Sequence, residues 1–253
     1  FESIFLKGEA HQGFMWECPD FFEVDGQAYI LVSPMRYQET DHDFRNLNSS
    51  VLIAGRVDWE KKEFLKESVS ELDHGHDFYA PQSLLDDKGQ RIVIAWMYNW
   101  GRTVVPHELG HGWACNMTLP RILHVDGHQL RQEVPEEVLA SLPRIQLGEE
   151  VVSTGYLDLE VKDTLVLRLG DEDDYVEFGY QDGLVFIDRS HQKMDISGEE
   201  AWAISRRSVE IEAQQLQVIF DKNSLEIFVN KGQESLTSAI YLQGEKVLKI
   251  VTG

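Results

Sequence analysis

Cysteine is scarce in this chain: Cys18 and Cys115 are the only two. A disulfide-framed scaffold is thereby excluded, because such folds carry more cysteine in fewer residues. Basic residues are also few. Against 44 Asp and Glu stand 23 Lys and Arg, a net charge of −21. That surface repels phosphate backbones and anionic headgroups, so neither nucleic acid nor membrane is an expected partner. No run of about 18 apolar residues is present to span a bilayer, and no signal-peptide pattern opens the chain. Two thiols without an anchor predict a cytoplasmic protein. A neutral small molecule is the partner best suited to the acidity.

Helical periodicity is nearly missing as well. One short signal runs from Pro135 to Ser141, with proline leading and acids in the first turn. Strand-like runs dominate instead: 27–32, 50–55, 91–96, 165–169, 175–178, 184–187, 209–212, 216–220 and 225–229. They are rich in β-branched and aromatic residues, and several alternate apolar with polar. Asp25-Gly26, Lys88-Gly89, Asp126-Gly127, Asp182-Gly183 and Lys231-Gly232 punctuate them as hairpin turns. Up to about residue 135 the strands are widely spaced, with loops rich in His, Trp, Tyr and Asn. Beyond about residue 150 they crowd together with short turns. This predicts an all-β chain in three parts: blades whose loops line a site over 1–135, a linker with a short helix over 136–150, and an antiparallel β-sandwich over 151–253.

Trp16-Glu17-Cys18-Pro19-Asp20 is the segment richest in chemistry. Glu17 lies between an aromatic and a Cys-Pro pair, just before Phe21-Phe22. Such a setting predicts a desolvated carboxyl, protonated near neutral pH, able to protonate a departing sugar oxygen. Tyr79, in Phe78-Tyr79-Ala80-Pro81-Gln82, and the alternating Trp96, Tyr98 and Trp100 suit the stacking of aromatic rings on sugar C–H faces. On a strand the three alternating rings would share one face.

Other patterns carry less. His107-Glu108-Leu109-Gly110-His111 matches H-E-x-x-H, which requires a helix to project both imidazoles from one face. Pro106, Gly110 and Gly112 oppose such a helix, so a chance match is expected and no metal is assigned. His74-Gly75-His76-Asp77 fits no common metal spacing and reads as a polar loop. Asp171-Glu172-Asp173-Asp174 reads as a solvated turn.

Together these segments resemble glycoside hydrolase family 32, the invertase, sucrose-6-phosphate hydrolase, levanase and inulinase group. Glu17-Cys18 resembles the family's Glu-Cys block, and Phe78–Gln82 with Ile94–Trp100 a later blade signature. Gly112-Trp113-Ala114 with Met117–Arg121 resembles the opening of the last blade, and Ser224–Gly232 a hairpin of the C-terminal sandwich. The resemblance implies a five-bladed β-propeller followed by a β-sandwich. It also implies hydrolysis of β-fructofuranosides with retention, with Glu17 as general acid/base, and Tyr79, Trp96, Trp16 and Trp100 against the sugar. No cofactor is implied.

The family's other two carboxylates, in Asn-Asp-Pro-Asn-Gly and Arg-Asp-Pro blocks, have no match among these 253 residues. The expectation is therefore the last three blades plus the sandwich, inactive in isolation. The open face would meet the missing N-terminal half of the propeller or a second copy. A retaining glycosidase needs two carboxylates roughly 5–5.5 Å apart. Asp20, at i+3, is expected on the opposite strand face, about 10 Å along. A non-catalytic carbohydrate-binding module and a zinc peptidase on His107 and His111 stand as the alternatives.

Overall fold

The computed structural model of the chain describes residues 2–24, 26–148, 150–198 and 206–253. Two antiparallel meanders come first. In one, β1 (Met15–Val24), β2 (Gln27–Met35), β3 (Val51–Asp58) and β4 (Glu63–Glu71) pair in sequence order. In the next, β5 (Tyr79–Leu85) pairs with β6 (Arg91–Met97). A single turn of helix, α1 (Val105–Glu108), and the two-residue β7 (Asn116–Met117) then precede β8 (Arg121–Asp126) and β9 (Gln129–Glu133). The sheet runs β5-β6-β8-β9, with β7 pairing the end of β6.

The short helix α2 (Glu136–Ala140) follows, with Pro135 at its N-cap. A proline costs nothing there, since that N–H has no intrahelical partner. The rest is strand: β10 (Glu150–Val151), β11 (Thr154–Glu160), β12 (Leu165–Gly170), β13 (Tyr175–Gln181), β14 (Leu184–Asp188), β15 (Arg206–Glu210), β16 (Gln215–Asp221), β17 (Ser224–Val229), β18 (Glu234–Ala239) and β19 (Val247–Thr252). They form a four-stranded sheet, β11-β16-β17-β18, and a six-stranded sheet, β10-β19-β12-β13-β14-β15. Leu167, Phe178 and Ile187 of the larger sheet meet Val218, Phe220 and Ile227 of the smaller in one core. This is a sandwich.

Alternation decides the packing of the first two sheets. Along β2, Tyr29 and Leu31 face the second sheet, where they meet Phe78, Val93, Ala95 and Leu123. Ala28, Ile30 and Val32 face the other way and meet Val51, Ile53 and Phe64. Both faces of β2 are buried, which is why its sequence is an unbroken apolar run. On the outer side, Phe5 packs edge-on against Phe21 and Phe64, and Trp59 closes the cluster while remaining 63% exposed.

The chain is all-β, a propeller part followed by a β-sandwich. The described residues hold two blade-like meanders where three were expected. Residues 2–14 form no strand; Lys7, Gly8, Glu9 and Gly13 interrupt any apolar alternation there. Asp25, of the first expected turn, and Glu149, in the expected linker, lie outside the described residues. Asp182-Gly183 has positive φ at both positions (53° and 81°), as a type I′ hairpin turn requires.

Candidate active site

Glu17 lies near the start of β1, at a β-bulge. Glu17 pairs with Ser33 and Asp20 with Leu31, so three steps along β1 match two along β2. The extra residue sits at Cys18-Pro19, where Cys18 has φ 47° and Pro19 offers no N–H to the ladder. The strand β5 repeats the device. Tyr79 pairs with Trp96 and Gln82 with Ile94, with Ala80 at φ 50° before Pro81. Each left-handed, Cβ-bearing residue costs about 1–3 kcal/mol. Strain of that kind persists only where the surroundings fix it.

The two bulges clasp each other. The Tyr79 hydroxyl lies 2.8 Å from Glu17 Oε2 and donates to it, with the Ser33 carbonyl 3.1 Å away. Ala80 N–H donates to Ser33 Oγ (3.1 Å), Gln82 Nε2 to the Cys18 carbonyl (3.0 Å), and Ser83 N–H to Asp20 Oδ2 (2.7 Å). Burial, and then the Glu17 carboxylate, push the Tyr79 hydroxyl pKa up, so Tyr79 stays a donor. Glu17 is partly exposed. Among the described residues, Tyr79 supplies its only side-chain hydrogen bond.

The bulge overturns one expectation. Ser33 and Leu31 are two apart on β2, so their partners Glu17 and Asp20 share a face rather than opposing each other. Asp20 is nonetheless engaged, since its carboxylate holds the Ser83 amide and ties β1 to β5.

The aromatic residues divide. Trp96 stands opposite Tyr79 in the β5–β6 register, with the Trp100 ring 5.0 Å and the Tyr98 ring 4.9 Å from its own. The strand stops at Met97, so the expected shared face does not form. Tyr98 turns inward and donates to the Arg102 carbonyl, while Trp100 is exposed. Trp16 is not brought to Glu17. Its indole N–H donates to the Gln12 carbonyl (2.7 Å) and its ring lies over Gly8 and the outer core. Burial pushes the Cys115 thiol up, against a weaker pull from the neighbouring Trp96 side chain.

The His74–Asp77 segment is a polar loop, as expected, but it is buried between the propeller part and the sandwich rather than solvated. Just before it, Asp73 Oδ2 accepts from Arg121 Nη1 (3.0 Å), Ser235 Oγ (2.9 Å) and Thr237 Oγ1 (2.7 Å). Arg121 also reaches Glu226 Oε2 (2.7 Å) and lies between the rings of Phe78 and Phe228. Asp77 binds Arg102 and Arg189. Burial works against its carboxylate, but the two guanidiniums outweigh that and hold its pKa below the usual range. Tyr79 follows two residues later, so the joint fixes the start of β5. A Cβ at Gly75 would sit 2.0 Å from the Thr237 carbonyl oxygen. Gly75→Ala is expected to lower stability by about 1–3 kcal/mol, read as a lower urea midpoint at unchanged m-value; an unchanged midpoint would mean the contact yields freely.

The H-E-x-x-H match is accidental in form. α1 ends at Glu108, Gly110 has φ 68°, and both His107 and His111 are exposed. Among the described residues neither belongs to a cluster of three metal-ligating side chains. In the acidic run, Asp174 is buried rather than solvated, accepting from the Lys193 and Gln243 amides.

Residues 1–134 match the glycosyl hydrolases family 32 N-terminal domain, and residues 149–250 match the glycosyl hydrolases family 32 C terminal. The chain belongs to glycosyl hydrolase family 32. Among its relatives in the family, a raffinose invertase of Escherichia coli is 32% identical, aligned over 96% of this chain and 53% of that protein. A sucrose-6-phosphate hydrolase of Vibrio alginolyticus is 33% identical, over 91% and 49%. A solved Bombyx mori family 32 β-fructofuranosidase, in complex with sucrose, superposes with TM-score 0.80 at 24% identity, covering 98% of this chain and 54% of that one. A solved sucrose-6-phosphate hydrolase of Lactobacillus gasseri superposes with TM-score 0.83 at 18% identity, covering 97% of this chain and 54% of that one. The chain spans about half the length of the curated relatives it matches.

The Tyr79–Glu17 bond joins two residues that sequence reasoning had singled out separately. What it missed was their common device, small residue then proline after the functional side chain, visible twice in the sequence as Glu17-Cys18-Pro19 and Tyr79-Ala80-Pro81.

Proposed function

We propose that this chain carries the acid/base side of a β-fructofuranosidase site of the retaining kind, acting on sucrose, sucrose-6-phosphate or a fructan. The observation that supports this most is the strained pair of bulges holding Glu17 against a Tyr79 donor. In this reading Glu17 protonates the glycosidic oxygen as the bond to the fructosyl carbon breaks. It then takes a proton from the water that releases fructose. Tyr79 positions its carboxyl group, and Trp96 and Trp100 form the sugar-facing wall. Trp16 acts through packing of the segment ahead of β1. The nucleophilic carboxylate is contributed by residues other than these 253, and the Phe5–Phe21–Trp59 face is where the remainder of the propeller, or a second copy, packs.

Tyr79→Phe is expected to lower kcat/KM about tenfold, the loss of roughly 1.4 kcal/mol from one hydrogen bond to a charged group. Steady-state kinetics on sucrose reads it, in the form of the protein that also carries the nucleophilic carboxylate. A variant with wild-type kcat/KM would remove Tyr79 from the site. The unpaired thiols of Cys18 and Cys115, and relatives named sucrose-6-phosphate hydrolase, support a cytoplasmic setting. None of the helices among the described residues is long and apolar enough to cross a membrane.

A further inference from the structure

At the edge of the joint between propeller part and sandwich, away from the bulges, three side chains converge. Asp43 comes from the loop between β2 and β3, Glu71 from the end of β4, and His74 from just beyond it. His74 Nδ1 lies 3.3 Å from Asp43 Oδ1 and 3.6 Å from Glu71 Oε2, and the three donors lie within 4.8 Å of one another. Four donors placed tetrahedrally at bond lengths of about 2.0–2.2 Å stand roughly 3.3–3.6 Å apart. The two distances at His74 match that edge.

The surroundings are those of a ligand set. His74 is buried, with 6% of its side chain exposed, and its Nδ1 has no hydrogen-bond partner. On the far side of the ring, Nε2 stands 3.0 Å from Glu234 Oε2 of β18. With the ring proton on Nε2, that contact turns Nδ1 toward the two carboxylates. A carboxylate behind a histidine in this way orients metal-binding imidazoles. Glu71 Oε2 is itself fixed by the Phe44 amide (2.6 Å). A cavity of about 640 Å³, lined by these residues with Thr40, His42 and Gln233, opens on the cluster. It gives an ion an entry path and a place for water as fourth ligand.

Either a second proton on His74 or a cation must separate its nitrogen from the carboxylate oxygens. We propose that Asp43, Glu71 and His74 bind a divalent transition-metal ion, zinc in the first place, with Glu234 as the residue that orients His74. One imidazole and two carboxylates suit zinc and its neighbours rather than calcium or magnesium, which take oxygen alone. The ion is structural. It pins the β2–β3 loop to the end of β4 and the segment after it, and takes no part in the proposed hydrolysis.

The test is titration of the metal-stripped chain with Zn²⁺, and with Co²⁺ as a coloured reporter. One ion per chain is expected, with the intense visible absorption of tetrahedral cobalt and a zinc-dependent rise in melting temperature. Asp43→Asn, at a half-exposed position that leaves the core intact, should weaken binding at least tenfold. Glu234→Gln should weaken it about 10–100-fold, and the double variant His107→Ala/His111→Ala should leave it unchanged. The proposal is overturned by absence of stoichiometric uptake, by binding that survives Asp43→Asn at full affinity, or by binding lost only with His107 and His111. The first of these outcomes would leave a protonated His74 as the group that holds the carboxylates together.

Discussion

Glu17→Gln lowers sucrose turnover roughly 10²–10⁴-fold, the usual contribution of a positioned general acid/base, in the form of the protein that also carries the nucleophilic carboxylate. The amide keeps the shape of the side chain and can still accept from Tyr79 Oη, as Glu17 Oε2 does at 2.8 Å. It has no proton to pass to the leaving oxygen. KM should change little, because the lost interaction belongs to the transition state. A fructosyl donor whose leaving group departs without protonation should lose much less. Steady-state kinetics on the two substrates separates the roles. Equal losses on both would make Glu17 a binding group, and no loss on either would remove it from the reaction.

Arg121→Met is expected to cost about 3–5 kcal/mol of stability, the cost of leaving buried charges without their partner. Asp73 and Glu226 both lose a guanidinium that no water can replace, since Arg121 is fully buried and Asp73 is 2% exposed. Burial already raises the Glu226 pKa, opposed chiefly by Arg121. For a chain of this length the loss corresponds to a fall of roughly 6–20 °C in melting temperature. Replacing Asp73, Arg121 and Glu226 together with apolar residues should recover part of it, because the triad's own desolvation cost disappears as well. Melting curves of the single and triple variants decide the matter. A fall of less than about 2 °C in Arg121→Met would show that the joint relaxes around the missing cation.

About half of the strands were legible, because buried strands leave apolar runs. β2, β3, β6, β16 and β17 all show them. Among the strands that were not legible, β4 and β18 show why. β4 carries Lys66, Glu67, Ser68 and Ser70, and β18 carries Ser235, Thr237 and Ser238. The last three are buried not as apolar filling but as hydrogen-bond partners or neighbours of the Asp73 and His76 side chains. No periodicity marks a polar strand that is buried by pairing with charge. The same blindness hid the burial of the His74–Asp77 loop.

In the site, Glu17 and Tyr79 were legible as residue types in suggestive settings. Their contact was not, because it depends on two bulges. A bulge reverses which positions share a face, so the period-2 argument that set Asp20 opposite Glu17 failed at Cys18-Pro19. Strand ends mislead in the same way. Trp96, Tyr98 and Trp100 alternate in sequence, but pairing stops at Met97 and Tyr98 goes into the core. Trp16 precedes the bulge and points to the outer core beside Gly8.

The decisive measurement is fructose release from sucrose by residues 1–253 alone, set beside the same chain supplied with an N-terminal half-propeller from a family relative. No release is expected from the chain alone, and release on complementation that Glu17→Gln abolishes. Turnover by residues 1–253 alone would place both catalytic carboxylates within this chain and rule out a nucleophile supplied from elsewhere.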